Sequence, residues 1–248
     1  MTPGPIEAVL FDKDGTLVDL LATWLPTYRA ATDRLAEAAG DPSLSDRLMI
    51  AGGWRPRDGR LAPGSPLSCA TNDDIIALWS NDPQVAALGD VHAMVRETFL
   101  TEAVRNSQPI VPLRPMLTAL RDLGLRLGIA TMDSTAAATA GMLHLGVADM
   151  FDLILGFDAG FGAKPAPGMV HAFCAAVDAP PERVAMVGDA RKDLDTGRNA
   201  GVGLVVAVLT GAADRAELAP HADVVLDSVG GLPDLLRTLT RPSPAERR

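Results

Sequence analysis

Four acidic residues stand directly after two apolar runs of the sequence. Asp12 and Asp14 follow the first run, and Asp189 and Asp193 follow the second. Short apolar runs of this kind predict buried strands, and the carboxyl ends of parallel strands meet at one edge of a sheet. Carboxylates gathered at that edge are suited to a hard divalent cation, which can in turn bind phosphate. The pattern therefore predicts a site for a metal ion and a phosphate group.

Two further polar residues, Thr131 and Lys164, extend the pattern. Thr131 closes an apolar run, and Lys164 opens the segment Lys164-Pro165-Ala166-Pro167. A hydroxyl can donate a hydrogen bond to a phosphoryl oxygen, and an ammonium group supplies a point charge. Taken singly, Thr131 is an ordinary strand residue, Lys164 a solvated surface lysine and each acidic segment a helix-capping turn. The joint order along the chain favours the interpretation as one site.

The elements that would position these residues alternate along the chain. Short apolar runs predict strands over 6–11, 125–131, 153–155, 184–187, 202–208 and 224–226. Leucines with helical spacing, such as Leu113, Leu117 and Leu120, predict helices that pack on the sheet. The predicted fold class is α/β, with a doubly wound parallel sheet and a smaller, mainly helical domain.

That smaller domain is predicted from the long stretch 19–109, which has helical patterns but no pair of core strands. We expect a helical cap there, a core domain formed by 1–18 and 110–248, and hinges near 17–20 and 108–112. Segment 52–66, rich in Gly, Pro and Arg, predicts an ordered loop or hairpin. Thr71 is expected to cap one helix, and Asp82-Pro83 to start the helix that contains Val91 and Phe99. The tail 241–248 is expected to fray.

Composition limits the partners. The chain has 248 residues, of which 48% are hydrophobic, and a formal net charge of −9. This acidity disfavours binding to nucleic acid or to an anionic membrane. The two cysteines are far apart and lack the spacing of a zinc site or a disulfide framework. Because the N-terminal residues lack a signal-peptide pattern and no apolar run could span a bilayer, we expect a cytoplasmic protein.

Four motifs in order resemble those of the haloacid dehalogenase superfamily. They are Asp12-Lys13-Asp14-Gly15-Thr16, Thr131 after a strand, Lys164-Pro165-Ala166-Pro167, and Gly188-Asp189 with Asp193. The chain is similar to the phosphatase branch with a helical cap inserted after the first strand, as in phosphoglycolate phosphatase. The similarity spans nearly the whole sequence, and it implies a phosphoric monoester hydrolase.

The resemblance also implies roles for the acidic residues. Asp12 would be the nucleophile that forms an aspartyl phosphate, and Asp14 the general acid that then serves as base. Mg²⁺ is the implied cofactor, held by Asp12, the backbone carbonyl of Asp14 and Asp189. Asp193 would complete the metal site by orienting these groups or acting through water.

Four residues are the candidates for binding the substrate: Thr131, Met132, Lys164 and Arg55. Thr131 and Lys164 would contact the phosphoryl group and so contribute to catalysis. Arg55 belongs to the arginine-rich segment of the cap, which could meet a carboxylate or second phosphate of the substrate. The same segment could equally be a solvated hairpin tip.

Two positions depart from the pattern of the family. Asp133 stands where a small or amide residue is usual, and we expect it to cap the helix that begins near Ser134. The alternative is an extra carboxylate beside the phosphate pocket. Ala190 stands where Ser is usual, which removes a hydroxyl but no expected metal ligand.

Three classes of function remain open from the sequence. The first is a Mg²⁺-dependent phosphatase for a small phosphomonoester such as 2-phosphoglycolate. The second is a phosphomutase of the β-phosphoglucomutase kind, and the third is a phosphate-binding module without activity. By the same resemblance, dehalogenases and phosphonatases lack an acidic residue at the position of Asp14. The presence of Asp14 therefore disfavours these two activities. The expected partner is a small phosphate ester, and the chain is expected to be a monomer or a homodimer.

Overall fold

The computed structural model describes residues 5–240, in which a parallel sheet is covered by helices. The tail 241–248, predicted to fray, lies outside the described residues. The strands of the described range are β1 (Ala8–Phe11), β2 (Trp54–Arg55), β3 (Arg60–Leu61), β4 (Arg126–Ala130), β5 (Leu153–Leu155), β6 (Val184–Gly188), β7 (Leu204–Val208) and β8 (Val224–Leu226). Six strands form the main sheet in the order β5-β4-β1-β6-β7-β8, and all neighbours are parallel.

Helices connect these strands and form the insert between β1 and β4. The insert contains α1 (Leu20–Ala39), α2 (Ser43–Ala51), α3 (Pro66–Cys69), α4 (Asn72–Ser80), α5 (Pro83–Ala86) and α6 (Val91–Asn106). The later helices are α7 (Leu113–Arg121), α8 (Thr135–His144), α9 (Gly168–Val177), α10 (Arg191–Ala200), α11 (Arg215–Leu218) and α12 (Leu232–Thr240). No helix within residues 5–240 is both long and apolar enough to cross a membrane.

The central strand β1 is buried on both faces, which explains its uninterrupted apolar sequence. Val9 and Phe11 belong to the core that includes α7 and α12, whereas Ala8 and Leu10 belong to the core that includes α9 and α10. Helices thus cover both faces of a parallel sheet. The predicted α/β fold class is confirmed, and every predicted strand is present with ends that differ by two residues or fewer.

The insert encloses a hydrophobic cluster of its own. At its centre, the rings of Trp24, Tyr28, Trp79 and Phe99 pack with centroid distances of 5.2 to 6.3 Å. Most of these pairs are edge-to-face, a favourable geometry for aromatic rings. The cluster agrees with a cap that has its own small core, although the domain boundary 19–109 stays a prediction.

The two chain segments that link the insert to the sheet run side by side. The amide of Asp19 donates to the carbonyl of Gln108 at 2.8 Å, and the amide of Ile110 donates to the carbonyl of Leu17 at 3.0 Å. These segments coincide with the two predicted hinges. Any movement of the insert relative to the sheet would therefore change the backbone at these two hydrogen-bonded segments.

Segment 52–66 forms the predicted hairpin, in which β2 and β3 pair antiparallel. One helix start was predicted wrongly. Asp82 and Pro83 begin the short helix α5, which ends at Ala86, and α6 starts separately with Asp90 as its cap. The reason is local, because Gly89 and Asp90 favour a break in the helix and the Asp90 side chain accepts from the amide of Ala93.

Candidate active site

The carboxyl ends of three neighbouring strands converge at one edge of the sheet. Asp12 follows β1, Thr131 follows β4 and Asp189 follows β6. β1 lies between the other two strands, so its end is at the centre of the group. The amide of Asp12 donates to the carbonyl of Val187 at 2.8 Å, which extends the pairing of β1 with β6 up to the site. The predicted juxtaposition of these residues is present.

Asp12, Asp189 and Asp193 form a buried acidic cluster, in which one carboxylate oxygen from each lies within 4.8 Å of the others. Burial raises the pKa of Asp12 to about 6, even though Lys164 opposes the shift. Burial, with the charges of Asp12 and Asp193, also places the pKa of Asp189 well above its usual range. Neighbouring carboxylates in a dry site repel one another, and a divalent cation would relieve that repulsion. The cluster is compatible with a divalent metal.

Lys164 is fully buried between two of these carboxylates. Its Nζ donates to Oδ1 of Asp12 and to Oδ1 of Asp193, each at 2.6 Å. Against the opposing effect of burial, the two carboxylates raise the pKa of Lys164. The interpretation as a solvated surface lysine is therefore wrong. Asp193 is fixed from its other side as well, because the amide of Ala190 donates to its Oδ2 at 3.0 Å.

Asp14 lies in the tight turn after β1, where Gly15 adopts the left-handed φ of 87°. The turn is closed by the amide of Gly15, which donates to the carbonyl of Val18 at 2.7 Å. Thr16 donates its hydroxyl to Oδ1 of Asp189 at 3.2 Å and so connects the turn to the acidic cluster. Burial raises the pKa of Asp14, while Lys13 lowers it. A carboxyl group that retains its proton more readily is suited to general acid catalysis.

Asp133 does not cap α8 as expected. Ser134 is the cap, and its hydroxyl accepts from the amide of Ala137. Asp133 is buried instead, with Oδ2 at 3.0 Å from Nζ of Lys13 and Oδ1 accepting from Nδ2 of Asn72 at 3.0 Å. The correction has a physical cause, because a buried ammonium between Asp14 and Asp133 stabilises both carboxylates.

A second cluster of polar side chains lies beside the acidic cluster and contains Lys13, Asp14, Asp133 and Asn72. Lys13 also contacts Asp14, at 2.9 Å, and its Nζ lies 5.6 Å from the centre of the Trp24 ring. Asn72 is the first residue of α4 in the insert, so its bond to Asp133 joins the insert to the loop after β4. Sequence reasoning missed Lys13 and Asn72. The available signal was a lysine between two acids together with an unexpected acid after Thr131.

A small cavity of about 40 Å³ lies between the strand ends and the insert. Its walls from the sheet side include Asp12, Asp14, Met132 and Lys192. Those from the insert are Trp24, Tyr28, Leu67, Ser68, Cys69, Ala70 and Asn72. The cavity is thus lined by Thr131 and Met132, two of the candidate substrate-binding residues. Arg55 is exposed on the hairpin and is absent from the cavity wall.

Lys192 is a second residue of the cavity that sequence reasoning missed. It lies in the first turn of α10, immediately before Asp193. Burial lowers the pKa of Lys192, although Asp193 opposes this shift. In the sequence it stands between Arg191 and Asp193, and a run of charged residues is typical of a solvated helix surface.

Comparison with known proteins assigns the family. Residues 6–201 match the profile of the haloacid dehalogenase-like hydrolases. The chain belongs to this family. It is 30% identical over 241 residues to a phosphoglycolate phosphatase of Caulobacter vibrioides, a match that covers 96% of this chain and 93% of that one. It is 28% identical over 240 residues to an N-acetylmuramic acid 6-phosphate phosphatase of Pseudomonas aeruginosa, covering 93% and 95% of the two chains.

Solved structures agree on the fold of this haloacid dehalogenase-like hydrolase. A phosphatase of the same superfamily from Thermococcus onnurineus superposes with a TM-score of 0.68 at 22% identity, over 93% of this chain and 98% of the other. The predicted enzyme class, a phosphoric monoester hydrolase, is confirmed by the family and by its phosphatase relatives.

Proposed function

We propose that this hydrolase is a Mg²⁺-dependent phosphatase that cleaves a small phosphomonoester through an aspartyl phosphate on Asp12. The observation that carries the proposal is the position of Asp12. It lies at the end of the central strand, inside the acidic cluster and two residues from a second acid. A carboxylate in that position can attack phosphorus without first losing a proton at neutral pH.

Asp14 supplies the proton transfers in the proposed mechanism. It protonates the oxygen of the departing alcohol while Asp12 attacks, and it then removes a proton from the water that attacks the aspartyl phosphate. Its raised pKa favours the first role at the start of the cycle. The Lys13 ammonium at 2.9 Å limits that rise, so the same carboxylate can return as a base.

The acidic cluster fits a magnesium ion. The cluster offers only oxygen atoms, from Asp12, Asp189 and Asp193, and oxygen is the donor type that Mg²⁺ prefers. The three side chains are buried, so their negative charges are shielded from solvent. The backbone carbonyl of Asp14 is a further candidate ligand. A bound Mg²⁺ would neutralise the carboxylates and the phosphoryl oxygens. Lys164 and Thr131 then hold the phosphoryl group from the protein side.

The substrate we propose resembles 2-phosphoglycolate. Phosphoglycolate and N-acetylmuramic acid 6-phosphate, the compounds in the names of the two relatives, each combine a phosphate with a carboxylic acid. The cavity beside Asp12, of about 40 Å³, has room for only about three waters and therefore favours a small substrate group. A cytoplasmic location and a monomeric or homodimeric state stay predictions.

The test is phosphate release from a panel of small phosphomonoesters by the purified protein with Mg²⁺. We expect turnover with wild type and, for Asp12→Asn, a loss of at least about a thousandfold, because the amide is not a nucleophile. Release from none of the esters, or full activity in Asp12→Asn, would overturn the proposal. Incubation with β-glucose 1-phosphate separates hydrolysis, which gives free phosphate, from mutase chemistry, which gives glucose 6-phosphate.

A further inference from the structure

Lysine has an unusual distribution in this chain. The sequence contains only Lys13, Lys164 and Lys192, and, apart from its four histidines, its other basic side chains are arginines. All three lysines lie at the candidate active site, whereas arginine supplies the ion pairs of the exposed surface. An ammonium is a compact point charge, which suits a small site better than a planar guanidinium does.

Two of the three lysines already have carboxylate partners. Lys13 contacts Asp14 and Asp133, and Lys164 contacts Asp12 and Asp193. Lys192 differs. Its Nζ is buried, yet within residues 5–240 it has neither a hydrogen-bond partner nor an ion-pair partner. A buried charge without a partner is costly to the folded protein, so an anion is expected to complete the site when the enzyme is at work.

The position of Lys192 indicates which part of a substrate it would contact. It lines the cavity that contains Asp12, and it also lines a neighbouring cavity of about 190 Å³. The two cavities share Ser68 and Cys69 of the insert and, from the sheet side, Asp189, Ala190 and Lys192. The phosphoryl group must lie against Asp12 for attack, and the neighbouring cavity offers adjoining space for the departing alcohol. Lys192 lies where the two cavities adjoin.

We propose that Lys192 binds a second anionic group, a carboxylate on the alcohol part of the substrate. This inference rests on the proposed phosphatase function and narrows it to phosphomonoesters that carry a carboxylate. Lys164 already supplies the fixed positive charge beside Asp12, at 2.6 Å. Lys192 therefore acts as the residue that selects the leaving group, and its ammonium gains in the complex the partner that it otherwise lacks.

A matched pair of esters tests the proposal. 2-Phosphoglycolate and ethyl phosphate have the same two-carbon skeleton, and only the first carries a carboxylate. Selectivity is the ratio of kcat/KM for 2-phosphoglycolate to kcat/KM for ethyl phosphate. We expect wild type to prefer 2-phosphoglycolate and Lys192→Met to lower this ratio by about 10- to 100-fold, the value of a hydrogen bond to a charged group. Lys192→Arg, which keeps the charge, should retain part of the preference.

Two controls separate recognition from folding. Arg198→Met removes an exposed cation from the same helix, where Arg198 pairs with Asp223, and should leave the ratio unchanged. The melting temperature of Lys192→Met should equal or exceed that of wild type, because the substitution removes a buried, unpaired charge. A structural role for Lys192 would lower it instead.

The outcomes distinguish this inference from the proposed function. If wild type hydrolyses neither ester nor any other in the panel, the phosphatase proposal itself fails. If wild type hydrolyses both esters without preference, or if Lys192→Met loses the same factor with both, only the role of Lys192 is overturned. In the second case the ammonium would serve the phosphoryl group that the two esters share.

Discussion

At the scale of single residues, Asp189 has room for its carboxylate because Gly15 and Gly211 have no side chains. A Cβ atom on Gly15 would lie 2.4 Å from Oδ2 of Asp189, and one on Gly211 would lie 1.7 Å from the same oxygen. Gly15 also needs its left-handed backbone, whereas the constraint at Gly211 is steric. The position of this carboxylate therefore depends on the absence of two side chains.

Gly211→Ala should displace Asp189 and lower kcat/KM for phosphate release by about 100-fold, since a misplacement of about 1 Å at a catalytic group costs that much. Gly89→Ala is the matched control, because a Cβ there meets no atom within 4 Å. Steady-state kinetics of both variants check the prediction. Unchanged activity in Gly211→Ala would show that Asp189 has freedom to shift without consequence.

Asp133 adds a negative charge that raises the pKa of Asp14. Asp133→Asn removes this charge while keeping an oxygen for the bonds from Asn72 and from the amide of Ser134. The pKa of Asp14 should fall. Because the proposed role of Asp14 as an acid requires its proton, the alkaline limb of the kcat profile should move to lower pH.

The pH dependence of kcat from acid to alkaline conditions measures this shift. Asp158→Asn serves as a control, because Asp158 is an exposed carboxylate that binds the amide and hydroxyl of Thr135. An alkaline limb that stays in place, or moves to higher pH, would contradict the role assigned to Asp133.

At the scale of elements, the sequence was sufficient for the strands and for the residues at their ends. Asp12, Thr131 and Asp189 were predictable because a buried strand of a parallel sheet has a continuous apolar pattern, and its carboxyl end is then known. The start of α6 was misplaced because two capping signals, Asp82 and Asp90, lie close together, and the helix break at Gly89 assigns the second of them to α6.

The contacts of Asp133 were beyond the sequence for a different reason. An Asp before Ser134 is a normal helix cap, and local rules favour that interpretation. The ion pair with Lys13 and the bond from Asn72 join residues that are far apart in the chain. Lys192 illustrates the same limit, because it lines a cavity together with Ser68 and Cys69 of the insert, which are far from α10 in the sequence.

The bond from Asn72 links α4 of the insert to the loop after β4, at 3.0 Å. Asn72→Ala should lower kcat/KM for a small phosphomonoester by about tenfold, because a buried hydrogen bond to a charged acceptor is lost. Asn81→Ala is the control at the other end of α4, where the side chain is exposed. Equal kinetics for the two variants would show that this contact does not position the insert.

At the scale of the whole molecule, we expect the acidic cluster to couple the free energy of unfolding to pH and to a bound divalent metal. The pKa of Asp12 is raised from 3.8 to about 6 in the folded protein, so the folded state holds this proton more tightly than the unfolded chain does. The stability that Asp12 contributes is present at low pH and is lost as pH rises through about 6. Bound Mg²⁺ should restore it, because the cation replaces the proton.

Without metal, the melting temperature should therefore fall from about pH 5 to about pH 7, and the increase caused by Mg²⁺ should be larger at the higher pH. Thermal unfolding in chelator and in Mg²⁺ measures both effects. Asp189→Asn should weaken both, because it removes one carboxylate of the cluster. A Mg²⁺ effect that is absent, or equal at the two pH values, would contradict the proposed metal site.

The covalent intermediate on Asp12 is the central claim, and acid-quenched mass spectrometry of Asp14→Asn tests it most directly. With p-nitrophenyl phosphate the leaving group needs no acid, so the first step proceeds, whereas the second step lacks its base and the intermediate accumulates. We predict that the peptide containing Asp12 gains the mass of one phosphoryl group. Release of p-nitrophenol without any phosphorylated peptide, or a phosphoryl group on another residue, would contradict the mechanism.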